Sequence, residues 1–159
     1  MKLSYASVRS KYQRKKDLDT PMLHTAIGYP EHANSIYWEN TCAIRLSLAL
    51  IKAGIPLPAG HMAVKAGPNK GMRIEQNVAR LAAYLSKKGV LGEPEKYKSA
   101  TQLRSKLGQR RGIVAFFSLL GGTDRQNHID LVAPGDSGYH ECASACYWGA
   151  SNAWFWPLR

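Results

Sequence analysis

The chain has 159 residues, 45% hydrophobic and 21% charged, with a formal net charge of +11. That length supports a single domain over residues 1–159 with a real core, and the composition excludes a disordered chain. No apolar run reaches the roughly 20 residues that cross a bilayer, and no RNA-recognition strand, zinc-finger spacing or basic zipper goes with the charge, so neither a membrane span nor nucleic acid is expected.

Met1 to Tyr5 is followed by Arg9, Lys11, Arg14, Lys15 and Lys16. This start lacks the apolar core of a signal peptide, so work outside the producing cell requires another export route. Residues 3–13 read as a short helix with Leu3, Tyr5, Val8 and Tyr12 on its apolar side. Residues 17–38 read as loop with scattered aromatics, suited to shaping a groove in front of the next helix.

The best-marked element is that helix, residues 41–53. Ile44, Leu48 and Ile51 form one stripe with Leu46 and Leu50 beside it, and Gly54 and Pro56 end it. Asn40 or Thr41 can accept hydrogen bonds from its first turn. Cys42 sits in that turn, at the positive end of the helix dipole, where a thiolate nucleophile is favoured. A core cysteine packing as a small hydrophobe is the alternative.

Residues 55–73, rich in proline and glycine, read as a long surface connection. Glu75 to Lys88 reads as a second helix and Ser99 to Leu107 as a third, capped by Ser99 or Thr101. The β-branched and aromatic run 112–120 reads as a buried strand. A polar turn (121–127), an alternating strand (128–132), a hairpin turn (134–138) and strands over 139–148 and 152–156 complete the chain. Helices first and an antiparallel meander after them make an α+β fold.

A thiol nucleophile needs a base and a group to orient that base. His128, at a strand start after the polar turn, is the candidate base; His24, His32 and His61 lie in loops and fit less well. Pairing across the 134–138 turn sets His128 opposite about residue 144, or about residue 140 with a tighter turn, naming Ser144 and His140 as candidate third members. Asp136 is a further acid, in the turn itself. Asp130 shares the side of His128 but stands about 7 Å along the strand. The backbone N–H of Cys42 and the side chain of Asn40 are candidate oxyanion donors, with helix capping as the other reading of Asn40. Cys142 and Cys146 are close in sequence and leave Cys42 as the odd thiol. A disulfide between them, formed in an oxidising compartment, competes with two reduced thiols; no ligand pair favours zinc.

Four segments carry a resemblance: Asn40-Thr41-Cys42-Ala43-Ile44-Arg45-Leu46-Ser47, Gly112-Ile113-Val114-Ala115-Phe116, Asn127-His128-Ile129-Asp130-Leu131, and Cys142 to Cys146 with Trp154-Phe155-Trp156. In this order the chain is similar to papain-like, NlpC-type cell-wall peptidases, and more closely to the type VI secretion amidase effectors of the fourth family. The resemblance implies a peptidoglycan amidase, a DL-endopeptidase cutting between D-glutamate and meso-diaminopimelate in stem peptides. It implies synthesis in the cytoplasm, export by the type VI secretion apparatus and action as an antibacterial toxin in the periplasm of the target cell. A cognate immunity protein that blocks the groove is the implied partner. Cys42 matches the family nucleophile and His128 its base, and the reaction needs no metal or organic cofactor. The family's third member is an aspartate after the histidine and near the paired cysteines. Residues 138–146 contain none, which leaves Asp136, His140 and Ser144 open. Two rivals stand beside this reading. One is a basic wall-binding module using Trp148, Trp154 and Trp156; the other is a thiol amidase or transferase acting on another acyl bond.

Overall fold

A computed structural model describes residues 3–121 and 125–159. Met1, Lys2 and residues 122–124 of the polar turn lie outside the described residues. Helix α1 (Tyr5–Lys11) is capped by Ser4, whose Oγ accepts from the Ser7 N–H at 3.1 Å. Helix α2 (Thr20–Ala26) comes next, and then two short 3₁₀ turns, Pro30–His32 and Ile36–Trp38. The expected loop of 17–38 is thus partly helical. Asp19 accepts from the Met22 N–H at 2.9 Å and Pro21 occupies the first turn, a start signal that seven residues of helix do not extend into a readable period.

Helix α3 (Cys42–Lys52) is the centre of the molecule: every residue from Cys42 to Ile51 is buried. It has apolar neighbours on all sides, packing on α1, on strand β2 (Arg73–Ile74), on helix α4 (Val78–Leu85) and on strand β5 (Asn127–Pro134). Gly54, with φ near +95°, reverses the chain so that the Ile55 N–H reaches the Leu50 carbonyl at 2.9 Å. Within the long connection, β1 (Met62–Ala63) pairs with β2 as a two-stranded ribbon. Helix α4 begins later than its sequence suggests, because Asn77 and not Glu75 lies at its cap. Glu75 is buried and accepts from His61 Nδ1, Arg80 Nε and the Asn77 N–H.

The main sheet has five antiparallel strands in the order β3 (Glu95–Tyr97), β7 (Asn152–Leu158), β4 (Arg111–Phe117), β5, β6 (His140–Cys142). Helix α5 (Ala100–Leu107) lies between β3 and β4 in sequence and is capped by Ser99. The last strand does not extend a meander; it returns between β3 and β4. The expected strand 139–148 is short, stopping at Cys142. One core joins Ile113, Ala115, Ile129, Leu131 and Trp156 to the α3 side, and a second joins Val114, Phe116, Val132 and Phe155 to α5. Burial of both faces explains why β4 reads as a continuous apolar run. Trp156 is a core residue and its Nε1 donates to the Gly92 carbonyl at 3.0 Å, so it is not available to stack on a sugar. Among the described residues no helix is long and apolar enough to cross a membrane.

Candidate active site

Cys42 opens α3, and the residues before it fix that start. The Asn40 Oδ1 accepts from the Cys42 N–H at 3.3 Å, while Asn40 Nδ2 donates to the Asn127 carbonyl at 3.3 Å. Asn40 therefore ties the first turn of α3 to the first residue of β5. Thr41 occupies the cap position, yet its Oγ1 accepts from Arg45 Nε at 2.9 Å instead of from a backbone N–H. The two expected oxyanion donors are thus engaged, the Cys42 N–H with Asn40 and Asn40 with Asn127.

His128 is the second residue of β5, paired across the sheet with Phe116 and 6% exposed. Its ring stacks on Phe116 and meets Tyr147 edge-on. The Nε2 lies 2.7 Å from Asp130 Oδ2. The Cys42 thiol interacts with the same ring, and with Nε2 committed to Asp130 the nitrogen left for the sulfur is Nδ1. Burial pulls the pKa of His128 down, but hydrogen bonds to Asp130 and Cys42, reinforced by their charges, raise it to about 9.

Asp130 is fully buried and held by backbone. Its Oδ1 accepts from the Leu131 N–H at 2.7 Å, its Oδ2 from the Ala145 N–H at 2.9 Å, and both oxygens face the Ser144 N–H at 3.1–3.2 Å. Ser144 and Ala145 lie inside the loop that the Cys142–Cys146 disulfide closes. The orientation of the carboxylate, and through it the His128 ring, depends on that small loop.

The three expected third members all lie away from the His128 ring nitrogens, and Asp130 faces Nε2 instead. Asp136 is exposed in the hairpin turn. His140 turns its Nε2 to the Gly108 carbonyl at 2.8 Å. Ser144 contributes its backbone N–H to Asp130 and not its hydroxyl to His128. The register is also shifted from the expected one: Val132 pairs with Cys142 and Pro134 with His140, and β6 ends before reaching the level of His128. Strand spacing alone sets Asp130 aside, yet two side chains on one side of a strand can lean together and close that gap. A sequence signal for it exists, since an acid alternating with a histidine inside the apolar run Ile129-Asp130-Leu131-Val132 must find buried partners. The other histidines lie elsewhere: His24 and His32 pack with Trp38, and His61 pairs with Glu75.

Cys42 and His128 open into a cleft of about 610 Å³, large enough for several residues of peptide. Ile36 and Tyr37, from the second 3₁₀ turn, are strongly exposed and line it, so the 17–38 stretch does help shape the groove. The family model for type VI secretion system amidase effector protein 4, Tae4, matches residues 38–156. The chain belongs to the Tae4 family. It is an amidase effector of that type and hence a hydrolase. Among solved structures, the Tae4 effector from Enterobacter cloacae superposes with a TM-score of 0.76 at 24% identity, covering 100% of this chain and 98% of that one. The Tae4–Tai4 effector–immunity complex from the same organism gives 0.73 at 22% identity, with 100% of both chains covered. The Tae4–Tai4 complex from Salmonella Typhimurium gives 0.67 at 18%, covering 98% and 95%. At these identities the likeness speaks for the Tae4 fold. No curated protein sequence matches significantly.

Proposed function

We propose that this Tae4-family chain hydrolyses the amide between D-glutamate and meso-diaminopimelate in peptidoglycan stem peptides, with Cys42 as nucleophile, His128 as acid and base, and Asp130 as the group that orients His128. The observation that carries the reading is the shared cleft of a helix-start cysteine and a histidine whose far nitrogen is fixed by a buried carboxylate. His128 Nδ1 takes the Cys42 proton, and the sulfur attacks the γ-carbonyl carbon of D-glutamate. The protonated imidazole then gives its proton to the departing amine of diaminopimelate, leaving a thioester on Cys42. Water attacks the thioester with His128 again accepting a proton, and the freed D-glutamate γ-carboxylate leaves. The raised pKa of His128 suits the second role, since the ring must be protonated when the amine departs.

Relatives solved as Tae4–Tai4 effector–immunity complexes support a cognate immunity protein as partner; its seat over the cleft and action in the periplasm of a target cell are part of the proposal. The test is digestion of Gram-negative peptidoglycan by wild type and by Cys42→Ala, with products identified by mass. Fragments ending in D-glutamate from wild type alone are expected. Intact wall from both proteins, with the thiol kept reduced, overturns the reading and returns the chain to wall binding or to another amide.

A further inference from the structure

Arg45 lies one helical turn beyond Cys42 and lines the same cleft, with only 3% of its surface exposed. Its Nε donates to Thr41 Oγ1 at 2.9 Å and its Nη1 to the Gln13 carbonyl at 3.0 Å, both neutral acceptors. Its Nη2 is buried without a partner, and among the described residues Arg45 makes no ion pair, although Glu39 lines the same cleft. Burial lowers its pKa, with Tyr12, Asp19 and Asp17 opposing, yet a guanidinium stays charged at neutral pH. A buried cation without a counter-ion is strongly unfavourable, and a merely structural role does not require one.

Two further orphan atoms line this cleft. The Tyr12 hydroxyl, on a side chain 4% exposed, has no partner, and neither has Gln76 Oε1. Five buried side-chain polar atoms lack a partner among the described residues, and these three share one cleft. Unsatisfied buried groups in a native protein call for an explanation, and a substrate that completes them is one. The missing set has a chemical identity: a charged donor and a hydroxyl suit a carboxylate, and a lone acceptor suits a peptide N–H. Lys15, also on the cleft, adds positive potential.

We propose that Arg45 and Tyr12 form a subsite for a substrate carboxylate adjacent to the scissile amide, and that Gln76 accepts an N–H of the same peptide. The subsite rests on the Cys42–His128 reading and names what that site selects. Arg45 Nε bonds the hydroxyl of Thr41, the residue next to Cys42, so the guanidinium lies beside the nucleophile's turn and the carboxylate belongs within about one residue of the attacked carbonyl. The α-carboxylate of γ-linked D-glutamate meets that requirement.

The experiment compares two synthetic stem peptides, L-Ala-γ-D-Glu-meso-diaminopimelate and the same peptide with the D-glutamate α-carboxylate converted to its amide. Amidation removes the charge with almost no change of shape. Wild type is expected to lose about 10- to 100-fold in kcat/KM on the amidated peptide, mainly through KM. Arg45→Gln and Tyr12→Phe are expected to act poorly on the carboxylate peptide and to discriminate only a few-fold between the two. Tyr12→Phe keeps the ring in the core, so it answers even where Arg45→Gln folds badly. A purely structural Arg45 lowers both activities alike and leaves discrimination intact, which overturns the assignment. Equal cleavage of both peptides by wild type overturns the subsite and spares the amidase reading. Cleavage of neither overturns the amidase reading and the subsite with it.

Discussion

Asp130→Asn separates orientation of His128 from simple packing. The native carboxylate collects the N–H groups of Leu131, Ser144 and Ala145 and faces His128 Nε2 at 2.7 Å. An amide of the same shape must turn an NH₂ group either toward those N–H donors or toward Nε2. In the second case Nε2 becomes the acceptor, the ring proton moves to Nδ1, and the nitrogen facing the sulfur loses its ability to take the thiol proton. The electrostatic part comes from the pKa. Moving His128 from 6.5 to about 9 corresponds to about 3 kcal/mol in favour of the imidazolium. Burial opposes that shift, so without the Asp130 charge the pKa falls, leaving Cys42 as the remaining support. For a positioned histidine that loses its carboxylate, kcat is expected to drop about 10³- to 10⁴-fold. The alkaline limb of the kcat profile, expected near pH 9 in wild type, should move to lower pH. The raised His128 pKa also carries a stability term, fully present below about pH 6.5 and lost as pH rises through about 9. Wild type should therefore lose on the order of 3 kcal/mol from this group on going from pH 6 to pH 10, and the variant much less. Stopped assays of stem-peptide cleavage across pH, with folding checked by thermal melting at each point, measure both effects. An Asp130→Asn enzyme that keeps kcat within about threefold and an unmoved alkaline limb refutes the assigned role.

Two further outcomes bear on the same geometry. Replacing Cys142 and Cys146 together by serine opens the loop that presents the Ser144 and Ala145 N–H groups to Asp130. It should cost about 2 kcal/mol in chemical denaturation and lower kcat more than it raises KM. Asp136→Asn and His140→Gln, at an exposed turn and on the Gly108 carbonyl, should each leave kcat/KM within about twofold; a large loss in either restores it as a candidate third member.

How far the sequence discloses each feature depends on how local that feature is. Helix α3 is legible from residues 41–54 because its apolar content, its start and its stop are all written within one stretch. Strands β4 and β5 are legible for the same reason, and with them the two ends that bring Cys42 and His128 together. Where an element is short, as in α2, or interrupted, as in β6, the signal falls below one readable period and composition misleads.

The proposed third residue, Asp130, is hidden for a different reason. Naming it requires the register of β5 against β6, the point where β6 stops, and the path of the disulfide loop, none of which is local. Asp130 is near the paired cysteines in space but distant from them in sequence: it receives the N–H groups from between the cysteines while standing two residues from His128. The loop thus supplies backbone donors and the strand supplies the acid. A search for the acid within the loop must miss it, whereas asking how a buried carboxylate between Ile129 and Leu131 is satisfied leads to the loop.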